Sequence, residues 1–331
     1  MIGWFHKNNP ANVILLLLFA IIVKLPLFLH PQLAVLEPSD GPLYIILVNW
    51  INKSGTSASF IYSVLAFLLT FSQALQLNRF FVQHKMMGRS TDFPAMTYLL
   101  ASSFFPAWTY FSEALFISTV ILILFSALFK LHQKNEIKSF LFNVGLVISV
   151  SSFVYKPAIY LIIWMLISVL IVRPIRLNEF LLALLGLLTP FYFYGVVLFL
   201  NDSWRWDYFT EFVSVNIPKL HSSPWDAGVL SLLFIPFLMG GYYVQENLRK
   251  MLIQVRKGWS LLVLLLLTTL AIPFFSLGDA YQAWVLVLIP LAAFHACTYL
   301  YSSLRIIPIV LFWVTFIFVL VNQFGGTMWI H

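Results

Sequence analysis

The chain has 331 residues, of which 61% are hydrophobic and only 9% are charged. Soluble domains carry about a quarter charged residues, so this composition excludes a soluble globular enzyme. The single cysteine, Cys297, excludes a disulfide framework. The net charge of +7 would fit a nucleic-acid partner, but no basic stretch is long enough to bind one. We therefore predict an all-α, multi-pass integral membrane protein with one transmembrane domain over residues 1–331.

Apolar runs of about 18 residues or more predict about eleven transmembrane helices. The two weakest, near 93–109 and 139–155, are short and carry several Ser and Thr residues. The first run is too long for a cleavable signal peptide, and no small-residue cleavage site follows it. The predicted helices are centred on about 12–30, 57–78, 93–109, 112–130, 139–155, 157–172, 178–200, 227–245, 259–277, 282–302 and 306–324.

Lys and Arg residues in short loops indicate the orientation, because cytoplasmic loops are enriched in them. With the N-terminus in the cytoplasm, fourteen of the nineteen basic residues lie on the inner side, and eight of the twelve carboxylates lie outside. This distribution predicts a periplasmic C-terminus and chemistry on the outer face. The basic residues left outside are Lys24, Lys53, Lys156, Arg205 and Lys219.

The first long outer segment, 31–56, carries two carboxylates three residues apart, Glu37 and Asp40. Apolar residues then recur at i, i+3, i+4 and i+7, which predicts a short amphipathic helix over about 41–52, lying in the membrane interface. Asp40 could cap that helix. Alternatively, the two carboxylates could supply a general base, or a base and a ligand for a divalent metal.

A third outer carboxylate, Glu113, lies on the turn before the fourth predicted span. One interpretation is structural: Ser112 caps the helix and Glu113 complements its dipole. The other is functional, because an ionisable residue at membrane depth often marks a site.

Two of the outer lysines lie next to prolines. Lys24 is inside the first predicted span, where it could snorkel to the interface or pair with an outer carboxylate or a lipid phosphate. Lys156 occupies the turn between two short spans, where a basic residue is disfavoured by the orientation rule.

The second long outer segment, 201–226, contains an aromatic cluster around Arg205. Trp204 and Trp206 could anchor the chain at the interface while Arg205 pairs with Asp207. Alternatively, the cluster could form a platform for a sugar and a phosphate, since Arg binds phosphate well.

Two histidines are candidates for a metal site or a structural role. His221 is a candidate metal ligand in the second outer segment, although a lone histidine is more often structural or solvated. His295 lies within a span, where a hydrogen bond between helices is the simpler role.

Three short motifs resemble the membrane glycosyltransferases of the C fold (GT-C). Residues 37–44 (Glu-Pro-Ser-Asp-Gly-Pro-Leu-Tyr) look like the acidic start of their first outer loop, although here two residues separate the carboxylates. Residues 110–116 are similar to the Tyr-Ser-Glu-x-Leu-Phe turn of mannosyltransferases that build lipid-linked anchors, and Lys156-Pro157 is similar to a Lys-Pro turn of that fold. The resemblance covers roughly the first 175 residues and leaves 176–331 as additional helices; the soluble outer domain of many members is missing. Residues 1–12 also look like the start of a family of bacterial polytopic membrane proteins with no established activity.

The resemblance implies an enzyme of the bacterial inner membrane that transfers a sugar from a polyprenyl-phosphate donor on the periplasmic face. It implies that Asp40, with Glu37 as alternate, acts as base or metal ligand, and that Glu113 lines the same cavity. Lys24, Lys156 or Arg205 would then neutralise the donor phosphate, with Trp204 and Trp206 covering the site. Two alternatives stay open: a non-enzymatic subunit or scaffold of an envelope complex, and a transporter. Membrane lipid is an expected partner in all three cases.

Overall fold

The computed structural model describes residues 2–6, 11–131, 136–173, 177–213, 215, 224–277, 281–304 and 306–329. Within these ranges the regular elements are all helices, which confirms the predicted all-α class. They are α1 (Ile2–Phe5), α2 (Asn12–Val23), α3 (Leu25–Leu29), α4 (Pro42–Asn52), α5 (Ala58–Gln83), α6 (Phe93–Ala101), α7 (Glu113–Phe129), α8 (Ile137–Ser152), α9 (Leu161–Val172), α10 (Leu177–Leu200), α11 (Asp207–Thr210), α12 (Pro224–Asn247), α13 (Ile253–Ala271), α14 (Leu288–Tyr301) and α15 (Ile306–Trp329).

Several helices are long and apolar enough to cross a membrane. Among the described residues six segments meet this requirement, and shorter apolar helices, including α2, α7 and α8, accompany them. The molecule is therefore a multi-pass helical membrane protein. The six segments are Gly55–Gln83, Leu177–Leu200, Trp225–Lys250, Ile253–Phe275, Gln282–Tyr301 and Ile306–Phe324.

The short helix predicted over about 41–52 is α4. Tyr44, Val48 and Ile51 are buried against the protein, whereas the predicted apolar stripe faces outward, with Ile46 and Trp50 exposed by 64% and 69%. An outward apolar stripe on a helix too short to cross a bilayer fits contact with lipid at the interface.

Two predicted spans are interrupted. The first is divided at Lys24 into α2 and α3, with Pro26 in the first turn of α3. The third, predicted over 93–109, is helical only over α6, whose nine residues are all buried. Nine residues cover about 14 Å, less than half of a bilayer core, so α6 does not cross it as a continuous helix.

Glycines bring neighbouring helices into close contact. A Cβ on Gly145 of α8 would lie 2.2 Å from the Ala183 carbonyl oxygen of α10, and one on Gly186 would lie 2.1 Å from the Phe142 carbonyl oxygen. Gly240 of α12 approaches the Phe294 carbonyl of α14 in the same way. Small residues at such contacts are how membrane helices pack tightly.

The helix pair α12 and α14 is also joined by hydrogen bonds near Pro236. The His295 ring nitrogen Nε2 lies 2.8 Å from the Leu233 carbonyl oxygen, and the Thr298 hydroxyl donates to the Pro236 carbonyl at 2.6 Å. The predicted interhelical role of His295 is therefore confirmed. These bonds satisfy polar backbone groups beside a proline, which lipid could not do.

Candidate functional site

Residues 38–43 pair with residues 153–156 over a short antiparallel stretch. The Gly41 amide donates to the Val154 carbonyl at 2.9 Å, the Leu43 amide to the Phe153 carbonyl at 2.9 Å, and the Lys156 amide to the Ser39 carbonyl at 3.0 Å. Gly41 is needed for this approach, because a Cβ there would lie 2.1 Å from the Phe153 carbonyl oxygen. The first acidic motif is thereby fixed against the Lys-Pro motif.

Asp40 lies at the centre of this pairing, opposite Tyr155, and its side chain is fully buried. Its Oδ2 accepts the Glu37 amide at 2.8 Å. It does not cap α4: the capping position is Gly41, and no side chain caps that end of the helix. The local structural explanation for Asp40 is therefore wrong, since its carboxylate turns back toward Glu37.

Glu113 begins α7 and is also buried, with 2% of its surface exposed. Ser112 caps the helix, as predicted, by accepting the Leu115 amide at 3.2 Å. The carboxyl groups of Asp40 and Glu113 interact directly with each other, and the Glu37 carboxylate contributes to the field at both. The two outer turns that were identified separately in the sequence thus bring their carboxyl groups together.

Two tyrosines complete a buried polar cluster with these carboxyl groups. The electrostatic fields of Asp40 and Glu113 act on the phenols of both Tyr44 and Tyr155, which are 1% and 0% exposed. Among the described residues, the Tyr44 hydroxyl has no hydrogen-bond partner, and Asp40 Oδ1 and Glu113 Oε2 have none apart from the interaction between the two carboxyl groups. The Tyr155 hydroxyl interacts with the Ser276 side chain. Buried polar atoms normally have several partners, so this cluster of carboxyl groups and phenols is a candidate site for a polar ligand.

The sequence analysis did not identify Tyr44 or Tyr155 as site residues. Each is adjacent to a motif that was identified, since Tyr44 closes the first acidic motif and Tyr155 precedes Lys156. Aromatic residues are so common in this chain, with 14 Tyr among 331 residues, that their type alone could not distinguish them.

The protonation of Asp40 is set mainly by its burial. The pKa of the Asp40 carboxyl is raised to about 6, mainly by removal from water and to a smaller extent by the nearby Glu37 carboxylate. The Glu37 amide, the Glu113 side chain and the Lys156 ammonium act in the opposite direction. A carboxyl group that titrates near pH 6 can exchange a proton at physiological pH.

Lys156 connects this cluster to the second outer segment. Its ammonium donates to the Pro38 carbonyl at 2.9 Å and forms an ion pair with Glu211 at 2.7 Å. The Lys156 side chain is 12% exposed, whereas that of Glu211 is 43% exposed. The Glu211 carboxylate, which was not predicted as a site residue, thus neutralises Lys156 next to the buried carboxyl groups.

Lys24 lies in a different polar cluster. It is 1% exposed, so it does not snorkel, and its ammonium donates to the Ser102 carbonyl at 2.7 Å and lies 3.5 Å from the Thr109 hydroxyl. No carboxylate among the described residues lies within ion-pair distance of it. Its ammonium thus binds the C-terminal end of α6, where a positive charge is favoured by the helix dipole.

Side chains of α15 satisfy the neighbouring carbonyl groups after α6. Gln323 donates to the Ser103 carbonyl at 2.8 Å and to the Thr109 hydroxyl at 2.9 Å, and Asn322 donates to the Phe104 carbonyl. The non-helical stretch that leads to Glu113 is therefore held by donors from both α15 and Lys24.

The aromatic segment forms an ion pair and one wall of a cavity. Arg205 pairs with Asp207 at 3.3 Å, as predicted, and both side chains are mostly exposed. Trp204 and Trp206 line an apolar cavity of about 910 Å³ along α10. The cavity is lined by Leu188, Phe191, Tyr192, Gly195, Val196, Phe199, Trp204, Trp206 and Phe209.

The aromatic cavity lies next to the pairing that holds Asp40. The ring of Phe191, which lines the cavity, lies 5.0 Å from the ring of Phe153, and Phe153 accepts the Leu43 amide. Phe212, next to Glu211, contacts both of these rings at 5.0 to 5.5 Å. The rings of Phe153 and Phe212 therefore connect the lining of the cavity to the segment that carries Asp40.

The site offers two carboxyl groups and two phenols, but few ligands of the type that metals prefer. No group of three or more His, Cys, Asp or Glu side chains in the described part of the chain could hold a metal ion. His221 and Lys219 lie outside the described residues. No family model, curated protein or solved structure matches this chain.

Proposed function

We propose that the protein is a GT-C-like glycosyltransferase of the bacterial inner membrane that uses a polyprenyl-phosphate sugar. The observation that carries this proposal is the convergence of Asp40 and Glu113, from two distant outer turns, on a buried cluster with unsatisfied oxygen atoms. The proposal includes eleven spans, a cytoplasmic N-terminus and a site on the periplasmic face.

Asp40 is the proposed general base. Two carboxyl groups in direct contact do not readily ionise together, so one of them retains a proton at neutral pH. With Glu113 protonated, the Asp40 carboxylate accepts the proton of the acceptor hydroxyl. The acceptor oxygen then forms a bond to the anomeric carbon of the sugar, the bond from that carbon to the phosphate oxygen breaks, and polyprenyl phosphate leaves with the electron pair.

Tyr44 and Tyr155 are the proposed hydrogen-bond donors to the sugar or to the acceptor. Both hydroxyl groups are buried beside the carboxyl groups, and that of Tyr44 has no hydrogen-bond partner among the described residues. Polar groups fixed in advance in a dry site stabilise developing charge without reorganising.

Lys156 is the proposed electrostatic partner of the leaving phosphate. In the present state Glu211 neutralises its ammonium, and the half-exposed Glu211 carboxylate is the group that an incoming phosphate would displace. The Lys156 ammonium also binds the Pro38 carbonyl, so its charge stays beside Asp40 during this exchange. Arg205 and Lys24 are not needed at this position.

The aromatic cavity is the proposed site for the isoprenoid chain of the donor. Its lining is apolar, and it lies along α10, whose outward residues Tyr192 and Phe199 are 68% and 69% exposed. A chain in this cavity would place its phosphate near Glu211 and Lys156, because Phe212 contacts the cavity residue Phe191.

A divalent metal, which the GT-C resemblance allows, would find two buried carboxyl groups in this cluster. Mg²⁺ and Ca²⁺ take about six or more oxygen ligands, more than these two carboxyl groups supply. The test for metal dependence is the same transfer assay with and without a chelator.

The decisive experiment is a transfer assay on the protein in lipid nanodiscs. Short-chain polyprenyl-phosphate sugars are supplied one by one, and released polyprenyl phosphate is measured. We expect release from at least one donor, reduced about 100-fold or more by Asp40→Asn, with Asp92→Asn as the matched control. Failure to release polyprenyl phosphate from any donor, or equal release by wild type, Asp40→Asn and Glu113→Gln, would contradict the proposal and favour a scaffold.

A further inference from the structure

A second apolar cavity, of about 320 Å³, lies between α12, α13 and the beginning of α14. It shares no lining residue with the aromatic cavity or with the Asp40 cluster. Its volume is at the lower end of the range for ligand pockets. It is lined by Phe105, Trp108, Asp226, Leu230, Leu233, Phe234, Phe237, Leu266, Leu270, Tyr281, Trp284, Val287, Leu288 and Leu291.

The cavity opens toward the lipid side of the helix bundle. Leu230 and Phe234 of α12 are 62% and 59% exposed, and Leu270 of α13 is 38% exposed. In a membrane these residues face hydrocarbon, so an acyl chain can enter the cavity sideways between α12 and α13.

One carboxylate stands in this otherwise apolar lining. Asp226 lies in the first turn of α12, where a carboxylate complements the helix dipole. The Tyr281 hydroxyl donates to Asp226 Oδ1 at 2.8 Å. Tyr281 is itself fixed, because the Trp108 indole donates to its carbonyl at 2.8 Å.

We propose that this cavity binds a phospholipid with a primary amine headgroup, with one acyl chain between α12 and α13 and the ammonium at Asp226. The charge at the cavity mouth is complementary to an ammonium, and an ammonium can donate to a carboxylate that a phenol already orients. An end of a membrane-spanning helix is also at the depth of lipid headgroups. The inference does not depend on the proposed glycosyltransferase activity.

Native mass spectrometry of the full chain tests this proposal with phosphatidylethanolamine and phosphatidylglycerol of identical acyl chains. We expect the wild type to retain phosphatidylethanolamine about tenfold better, the effect of one charge-assisted contact. Asp226→Asn should lose this preference. Asp202→Asn, an exposed residue in a turn with positive φ that Asn tolerates, is the matched control and should keep it.

A second variant examines the chain site independently of the charge. Leu230→Trp adds volume at the exposed rim of the cavity, where it should not disturb folding, and we expect it to reduce retention of phosphatidylethanolamine. Equal retention of the two lipids by the wild type, an unchanged preference in Asp226→Asn, or an unchanged retention in Leu230→Trp would each overturn the proposal.

Discussion

Buried carboxyl groups occur both before and after α6, and their surroundings differ. Asp92 directly precedes α6, whereas Glu113, which is paired with Asp40, begins α7. Both oxygens of Asp92 accept amide groups, from Asn12 at 2.7 Å and from Asn78 at 2.8 Å. Asp40 Oδ1 and Glu113 Oε2 accept none among the described residues.

This difference separates a structural carboxylate from a candidate functional one. The hydrogen bonds at Asp92 compensate for its burial and join three parts of the chain. The Asp40–Glu113 pair is compensated only in part, by the Glu37 amide at one oxygen of Asp40 and by the interaction between the two carboxyl groups, so we expect its burial to lower the stability of the fold. Groups that cost stability without a structural return are typical of functional sites.

The largest expected effect is that Asp40→Asn reduces activity and not stability, whereas Asp92→Asn reduces stability and not activity. Asp40→Asn removes a poorly solvated charge, so we expect about 100-fold lower transfer activity with unchanged or higher thermal stability. Asp92→Asn places an amide against amide donors and should cost about 1–3 kcal/mol of unfolding free energy, with normal activity per folded molecule. Thermal unfolding in detergent and the transfer assay measure both. A destabilised Asp40→Asn protein would show that Asp40, like Asp92, is a structural carboxylate.

The next effect concerns the pairing that positions Asp40. Gly41→Ala introduces a methyl group 2.1 Å from the Phe153 carbonyl oxygen, so the paired segments 38–43 and 153–156 must separate. We expect the unfolding free energy to fall by about 1–3 kcal/mol and the transfer activity to be lost. Thermal unfolding and the transfer assay measure these two effects. Gly241→Ala in α12 is the control, because a Cβ there meets no atom within 4 Å. Equal behaviour of the two variants would show that the pairing is not required.

A smaller effect is the pH dependence of stability. Because the Asp40 pKa is about 6 in the folded protein and 3.8 in its ordinary state, the folded state binds more protons between these values. Its unfolding free energy should therefore fall as the pH rises from about 4 to 6, by up to about 3 kcal/mol, and remain lower above pH 6. Asp40→Asn should flatten this part of the profile; an unchanged slope in the variant would assign the dependence to other groups.

The smallest expected effect is a pair of opposite shifts in the acidic limb of the activity profile. Glu37 raises the pKa of Asp40 and Lys156 lowers it. Glu37→Gln should therefore move the limb, near pH 6 in the wild type, to lower pH, and Lys156→Gln should move it to higher pH. Transfer rates across pH 4.5 to 8, an interval of about one to two units on each side of the pKa, measure both. Shifts in the same direction would exclude Asp40 as the titrating base.

The sequence alone predicted the helical membrane class and the α4 helix, and it drew attention to Asp40 and Glu113, whose carboxyl groups lie together in the structure. These features leave local signals: composition, periodicity and charged residues in short loops. The early end of α6 was not predicted. The segment that follows it, including Ser102 and Ser103, is buried in protein rather than facing lipid. A mostly apolar segment has the same composition in both surroundings, so the sequence could not distinguish them. The pairing of Gly41 with Phe153 and Val154 joins parts of the chain more than 100 residues apart. Such a contact leaves no periodic pattern in the sequence from which it could be predicted. A similar distance separates Tyr155 from Asp40. The contacts of Glu211 with Lys156 and of Lys24 with Ser102 span 55 and 78 residues, which is also too far for a local pattern to predict.

The hydrogen bonds from Asn322 and Gln323 to the backbone after α6 have a consequence for biogenesis. The non-helical stretch before Glu113 is synthesised well before α15, yet its carbonyl groups at Ser103 and Phe104 obtain these partners only from α15. Until then these groups need water or a chaperone, because hydrocarbon cannot satisfy them. Water can therefore leave this stretch only after α15 has been synthesised and has packed against it.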